Sequence, residues 1–102
     1  MATRIIFLTG ALDMTLTGRL RATLDEALET SDDVLVNVAG LRTVDSTGIR
    51  ELLRAQARAA QMEKSFGVVA AAPDVRRLLE VADAAGLLTD RGPMTSMQPD
   101  PA

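Results

Sequence analysis

The chain of 102 residues has the length of one domain, and its 47% hydrophobic residues can build a core. It has no histidine and no cysteine, which removes the commonest general base, a thiol nucleophile and the usual zinc ligands. A net charge of −3 and only two aromatic residues argue against a nucleic-acid partner. We therefore predict a protein-binding domain that is not an enzyme and uses no metal or cofactor.

The two ends of the chain predict its boundaries and its location. No charged-then-apolar leader opens the sequence, and no apolar run is long enough to span a bilayer. Three of the four prolines lie after Asp90. We expect a single domain over residues 1–90 and a flexible tail over residues 91–102. We also expect a cytoplasmic protein that does not insert into a membrane.

The first half of the chain alternates strand and helix patterns. Residues 4–8 are a short apolar run closed by Gly10 and predict a buried strand. Apolar residues at helical spacing predict a helix over residues 15–29. The run 34–38 is rich in β-branched residues, as expected of a strand covered on both faces. A loop is expected from Gly40 to Val44.

The second half of the chain repeats the alternation. The pattern predicts a long helix over residues 47–62, a strand over 66–71 and a helix opened by Pro73. Gly86 is a candidate helix stop. Alternating strands and helices with short links predict an α/β fold, with a mainly parallel sheet, right-handed crossovers and flanking helices. Functional sites of such sheets gather at the carboxyl ends of the strands.

The segment Asp45-Ser46-Thr47-Gly48 lies at that edge of the predicted sheet, where a helix begins. Helix capping alone is one interpretation, because Asp and Ser are favoured at the N-cap. Two features go beyond capping. First, a glycine in the first helical turn makes the helix less stable by roughly 1 kcal/mol than an alanine would. Second, two adjacent hydroxyls lie at the helix start, and phosphorylation of either would add a charge of about −1.5 to −2. The segment could therefore act as an electrostatic switch on an interface.

The residues around this segment carry a family resemblance. The run Val34-Leu35-Val36-Asn37-Val38, then Leu41, then Val44-Asp45-Ser46-Thr47-Gly48-Ile49 resembles the signature of the STAS domain family, and most closely its anti-anti-sigma factors. Three further segments agree: Leu8-Thr9-Gly10-Ala11-Leu12-Asp13, Asp74-Val75-Arg76-Arg77-Leu78-Leu79 and Ala85-Gly86-Leu87. The resemblance covers residues 4–90 and implies a mixed sheet of about four strands.

The resemblance also implies a function. Anti-anti-sigma factors bind an anti-sigma factor that is also a serine kinase, and phosphorylation of the serine after the aspartate abolishes binding until a phosphatase restores it. On this basis Ser46 is the phosphoacceptor, with Thr47 as the second choice. The residues expected to contact the partner are Asp13, Asp45, Ser46, Thr47, Gly48, Arg50 and Arg54.

The sequence departs from the family in three ways, of which two concern single residues. Arg50 stands where the family usually has a small residue, and it begins a stripe with Arg54 and Arg58. The stripe is either a solvated helix face, a rim contact for an acidic partner, or a source of a cation for a phosphate on Ser46. Ala11 also replaces the usual Glu.

A strand that usually precedes residues 4–8 in the family has no counterpart here, which predicts an exposed sheet edge and a route to self-association. These departures keep a second function open. The chain could be a STAS-like regulatory or structural subunit of a stress-signalling or membrane-transport complex.

Overall fold

A computed structural model describes residues 3–12 and 17–89 of the chain. The predicted tail and Asp13 lie outside these residues, so the domain boundary and the role of Asp13 stay predictions. The elements, in chain order, are β1 (Thr3–Leu12), α1 (Thr17–Thr30), β2 (Asp33–Val44), α2 (Ser46–Gln61), β3 (Ser65–Val69), α3 (Pro73–Val81) and a short 3-10 helix (Ala85–Leu87).

The three strands form a parallel sheet in the order β1-β2-β3. Because the strand order follows the chain order and such crossovers are right-handed, the connecting helices share one face of the sheet. The predicted α/β class is thereby confirmed. A fourth full strand was expected, but among the described residues the position beside β3 holds a single parallel bridge between Val68 and Leu88.

The core has two unequal parts, one on each face of the sheet. The larger contains Ile6, Val36 and Val68, which are paired neighbours across the three strands, together with buried residues of all three helices. The smaller consists of Leu35 and Val69, with Ile5 packed against them. Leu35 is fully buried in the central strand, which agrees with the prediction that β2 is covered on both faces.

β2 continues through the segment that was predicted as a loop from Gly40 to Val44, so that prediction was wrong. The strand continues there through two irregularities, because the pairing with β1 shifts between Phe7 and Thr9 and again between Gly10 and Ala11. At the first shift, the buried side chain of Asn37 accepts a hydrogen bond of 2.9 Å from the N–H of Ala39. A strand of this length carries the chain directly to the start of α2.

Two helices end in the left-handed conformation without a glycine. Glu63 after α2 and Asp83 after α3 have φ of 58° and 59°. The N–H of Lys64 bonds to the carbonyl of Ala59, which closes a Schellman-type end of α2. The expectation that Gly86 stops the last helix was wrong, because α3 ends at Val81 and Gly86 lies inside the 3-10 helix.

The outer edge of β1 pairs with no strand among residues 3–12 and 17–89. Phe7, in the middle of β1, is 68% exposed, and residues 5–12 contain no charge and no proline that would guard the edge. Self-association through this edge stays a prediction.

We predict that Gly40→Ala destabilises the protein by about 1–3 kcal/mol. A Cβ at this position would lie 2.8 Å from the Thr9 side chain and 3.2 Å from the backbone oxygen of Leu8. Gly18→Ala is the control, because a Cβ there meets nothing within 4 Å and Ala favours a helix by up to about 1 kcal/mol. Urea unfolding of both variants checks this, and equal stability of Gly40→Ala and the natural protein would contradict it.

Candidate functional site at the start of helix α2

The candidate site begins with Asp45, the residue between β2 and α2. Its backbone is extended, with φ −97° and ψ 179°, and its side chain accepts a hydrogen bond from the N–H of Gly48 at 2.9 Å. Its carbonyl accepts from the N–H of Ile49 at 3.0 Å, the first bond of the helix. Asp45 is therefore the N-cap of α2, as its residue type predicts.

The two hydroxyls that follow Asp45 have different surroundings. The Thr47 hydroxyl donates to Oδ1 of Asp45 at 2.6 Å, and Thr47 is half-buried. Ser46 is exposed, and its hydroxyl bonds to no residue of the described part of the chain. The Ser46 hydroxyl is therefore the more accessible of the two to an incoming phosphoryl donor, and its modification leaves the bond between Thr47 and Asp45 in place.

Gly48 belongs to the inner side of α2. It is buried, and it starts the stripe that continues through Leu52, Ala55 and Ala59. Gly48 thus lies on the helix face whose other residues belong to the core. A contact between Gly48 and a partner stays a prediction.

The arginine stripe of α2 divides into two parts. Nη2 of Arg54 lies 3.1 Å from Oδ1 of Asp25 on α1, and the two Nη atoms of Arg58 lie 3.8 Å from Asp25 and 3.7 Å from Oε2 of Glu29. Arg50 is exposed and forms no ion pair with any residue in the described ranges. The structure thus brings Arg50 to the same end of the helix as Ser46 and draws Arg54 towards α1.

A residue that the sequence analysis missed holds this arrangement together. Glu51 is only 7% exposed, and its carboxylate accepts two bonds from Arg21 on α1, at 3.1 Å and 2.6 Å. It also accepts one from Nε of Arg54 at 3.0 Å. A two-pronged arginine–carboxylate pair is among the stronger charged contacts in proteins and orients α2 against α1.

A signal for this network was present in the sequence. Acidic residues of α1 at positions 25 and 29 and arginines of α2 at positions 54 and 58 share the same four-residue spacing. Matching stripes of opposite charge on consecutive helices predict that the two helices pack side by side. The arginine stripe of α2 alone does not indicate that the two helices pack together.

The hydrogen bonds from Arg21, supported by those from Arg54, lower the pKa of Glu51 from its ordinary value of 4.5 to about 2, against the opposing effect of burial. A carboxyl whose pKa is depressed in the folded state stabilises the fold above its unfolded pKa. This contribution is lost as the pH falls from about 4.5 towards 2.

Other kinds of site find little support in the part of the chain that the structure describes. Its acidic residues form no group that could hold a metal ion. None of its helices combines the length and apolar character needed to cross a membrane. An open cleft of about 510 Å³ lies along the second half of α2, lined by Arg54, Arg58 and Gln61 among others, away from Ser46.

We predict that Glu51→Gln lowers the free energy of unfolding at pH 7 by on the order of 1–2 kcal/mol. The expected loss is this small because solvent screens the charge of the exposed Arg21. The difference from the natural protein should shrink as the pH falls from about 4.5 towards 2, because the unfolded chain takes up the proton at a higher pH than the folded protein. Denaturant unfolding across this pH range checks it. The exposed Glu80→Gln serves as the control, and a difference that does not depend on pH would contradict the ion-pair account.

Comparisons with known proteins agree with this architecture. Solved structures share the fold at low sequence identity, and three of them are described below. The anti-sigma factor antagonist SpoIIAA in its unphosphorylated form is 18% identical, with a TM-score of 0.78 over 95% of this chain and 87% of that one. The Bacillus cell fate determinant SpoIIAA in the phosphorylated form is 18% identical, with a TM-score of 0.70 over 91% and 86% of the two chains.

The third is a sulfate transporter family protein from Wolinella succinogenes, 17% identical, with a TM-score of 0.70 over 86% of this chain and 72% of that one. No curated protein matches the sequence. A family model described as "Mlab, STAS domain" matches residues 2–89. The chain, whose strand–cap–helix segment around Asp45 resembles the family signature, belongs to the STAS domain family.

Proposed function

We propose that this protein is an anti-sigma factor antagonist: it binds an anti-sigma factor with serine kinase activity, and phosphorylation of Ser46 switches it off. The observation that carries the proposal is the exposed hydroxyl of Ser46, which bonds to none of the described residues, beside a Thr47 hydroxyl that donates to Asp45. The similarity in fold to SpoIIAA, an anti-sigma factor antagonist with phosphorylated and unphosphorylated forms, supports it.

The phosphorylation step is a transfer from ATP to Ser46. The serine Oγ forms a bond to the γ-phosphorus, the bond to the ADP oxygen breaks, and the serine proton passes to a base that the kinase supplies. The acceptor side needs only an accessible hydroxyl, and the described part of the chain offers one at Ser46. The protein itself is the substrate in this reaction and needs no catalytic group.

The effect of the phosphate follows from its position. The helix already uses Asp45 to satisfy the N–H of Gly48, and the first intrahelical bond is donated by Ile49. The N–H groups of Ser46 and Thr47 precede that bond and favour an anion. A further charge of about −1.5 to −2 next to the Asp45 carboxylate would repel a partner surface that fits the unmodified turn.

We predict that a cognate anti-sigma factor kinase phosphorylates the natural protein and Thr47→Ala, but not Ser46→Ala. Phosphate incorporation from radiolabelled ATP, followed by mass-spectrometric mapping, checks this. Thr47→Ala is the matched control, since it removes a hydroxyl from the neighbouring position and leaves Ser46 in place.

Binding is measured on the same variants by titration calorimetry. Ser46→Ala should bind the kinase as the natural protein does, while Ser46→Asp should lose at least about tenfold in affinity, or 1.4 kcal/mol. Phosphate on another residue, or equal binding before and after phosphorylation, would refute the switch. Asp13, Asp45, Gly48, Arg50 and Arg54 remain proposed contacts, to be tested by the same titration.

A second function has one observation in its favour. The fold is also similar to a sulfate transporter family protein, so a regulatory or structural role in a membrane-transport or stress-signalling complex is the alternative. Purification of the tagged protein from its native cells distinguishes the two. A transporter component that co-purifies equally with the natural protein and with Ser46→Asp would favour the alternative. An ATP-binding kinase that co-purifies with the natural protein but not with Ser46→Asp would favour the switch.

A further inference from the structure

The three arginines of the α2 stripe are not equivalent in the structure. Arg54 and Arg58 face α1, where they pair with carboxylates of Asp25 and Glu29 at 3.1 to 3.8 Å. Arg50 remains exposed and unpaired within residues 3–12 and 17–89. Arg50 is therefore the arginine of the stripe that does not pair with α1, and it is also the one nearest to Ser46 in the helix.

Ser46 and Arg50 are four residues apart in α2, which is continuous from Ser46 to Gln61. Side chains at this spacing are neighbours on one helix face, with Cβ atoms about 6 Å apart. Both residues are exposed, whereas the residues of the inner stripe that begins at Gly48 are buried.

We propose that Arg50 holds the phosphate of phosphorylated Ser46 within the same helix. The guanidinium is a planar, permanently charged donor whose geometry matches phosphate oxygens. Phosphorylation then does two things at once: it places a dianion at the start of α2 and takes up the one exposed arginine of the stripe. The phosphate is retained as a local ion pair, stabilised further by the N-terminal end of the helix.

This proposal rests on the proposed function, because it needs Ser46 to be the modified residue. The two can fail separately if the phosphate is installed without the kinase. Phosphoserine is therefore incorporated at position 46 during translation, in the natural protein and in Arg50→Gln. Failure of the cognate kinase to modify Ser46 would overturn the proposed function and leave this measurement unaffected.

We predict that the second pKa of the phosphate, followed by ³¹P NMR, is about half a unit lower in the natural protein than in Arg50→Gln, a roughly threefold change in proton affinity. Asp45 lies beside the phosphate in both proteins, so its opposing effect cancels in the comparison. The difference should disappear at 1 M salt, where the screening length is about 3 Å.

Two arginine variants test the assignment. Arg4→Gln is the control, because Arg4 lies at the amino end of β1, opposite the edge from which α2 starts. Arg42→Gln removes another exposed arginine, four residues before Ser46 and still in β2. A shift in Arg50→Gln alone supports the proposal. An unchanged pKa in Arg50→Gln, or an equal shift in Arg42→Gln, overturns it.

A cycle of unfolding free energies gives an independent readout. The natural protein and Arg50→Gln are each compared with and without the phosphate. Phosphorylation should raise the unfolding midpoint more when Arg50 is present, with a coupling equal to a twofold to fivefold change in the unfolding constant. A coupling of zero contradicts the pair, even if the Arg50 variant is itself less stable.

Discussion

The burial of β2 on both faces is the constraint on which the rest of the structure depends. Its side chains supply the middle of the large core on one face and, through Leu35, the smaller core on the other. A strand so placed must keep its register, and two shifts in its pairing, the first at Asn37, let it stay paired with β1 as far as Val44. Asp45, which directly follows β2, therefore lies at the carboxyl edge of the sheet.

Asp45 then sets the chemistry of the helix start. By accepting bonds from Gly48 and from the Thr47 hydroxyl, one carboxylate both caps α2 and withdraws Thr47 from other contacts. Ser46, the first residue of the helix, stays exposed. Two adjacent hydroxyls of similar intrinsic reactivity thus become distinct through a single interaction.

The ion pairs between α1 and α2 likewise make the three arginines of the α2 stripe distinct from one another. Glu51 binds Arg21 and Arg54, and the acidic residues of α1 draw in Arg58 as well. Each pair is worth little in isolation where it is exposed, but together they fix which side of α2 faces its neighbour. Arg50, one turn before this network on the same stripe, is exposed and pairs with no acidic residue of the described ranges.

The sequence by itself determined the order of elements, the α/β class, the family signature and the cap at Asp45, because these follow from local periodicity and residue type. It could not reveal that residues 40–44 are strand, since a bulge depends on the partner strand. Nor could it reveal the left-handed helix ends at Glu63 and Asp83, where no glycine marks them. The partners of Glu51 were decided only by tertiary structure, because they lie on another helix and meet it when α1 and α2 pack. The difference between Ser46 and Thr47 depends on the three-dimensional geometry of the cap at Asp45, which residue type alone does not determine.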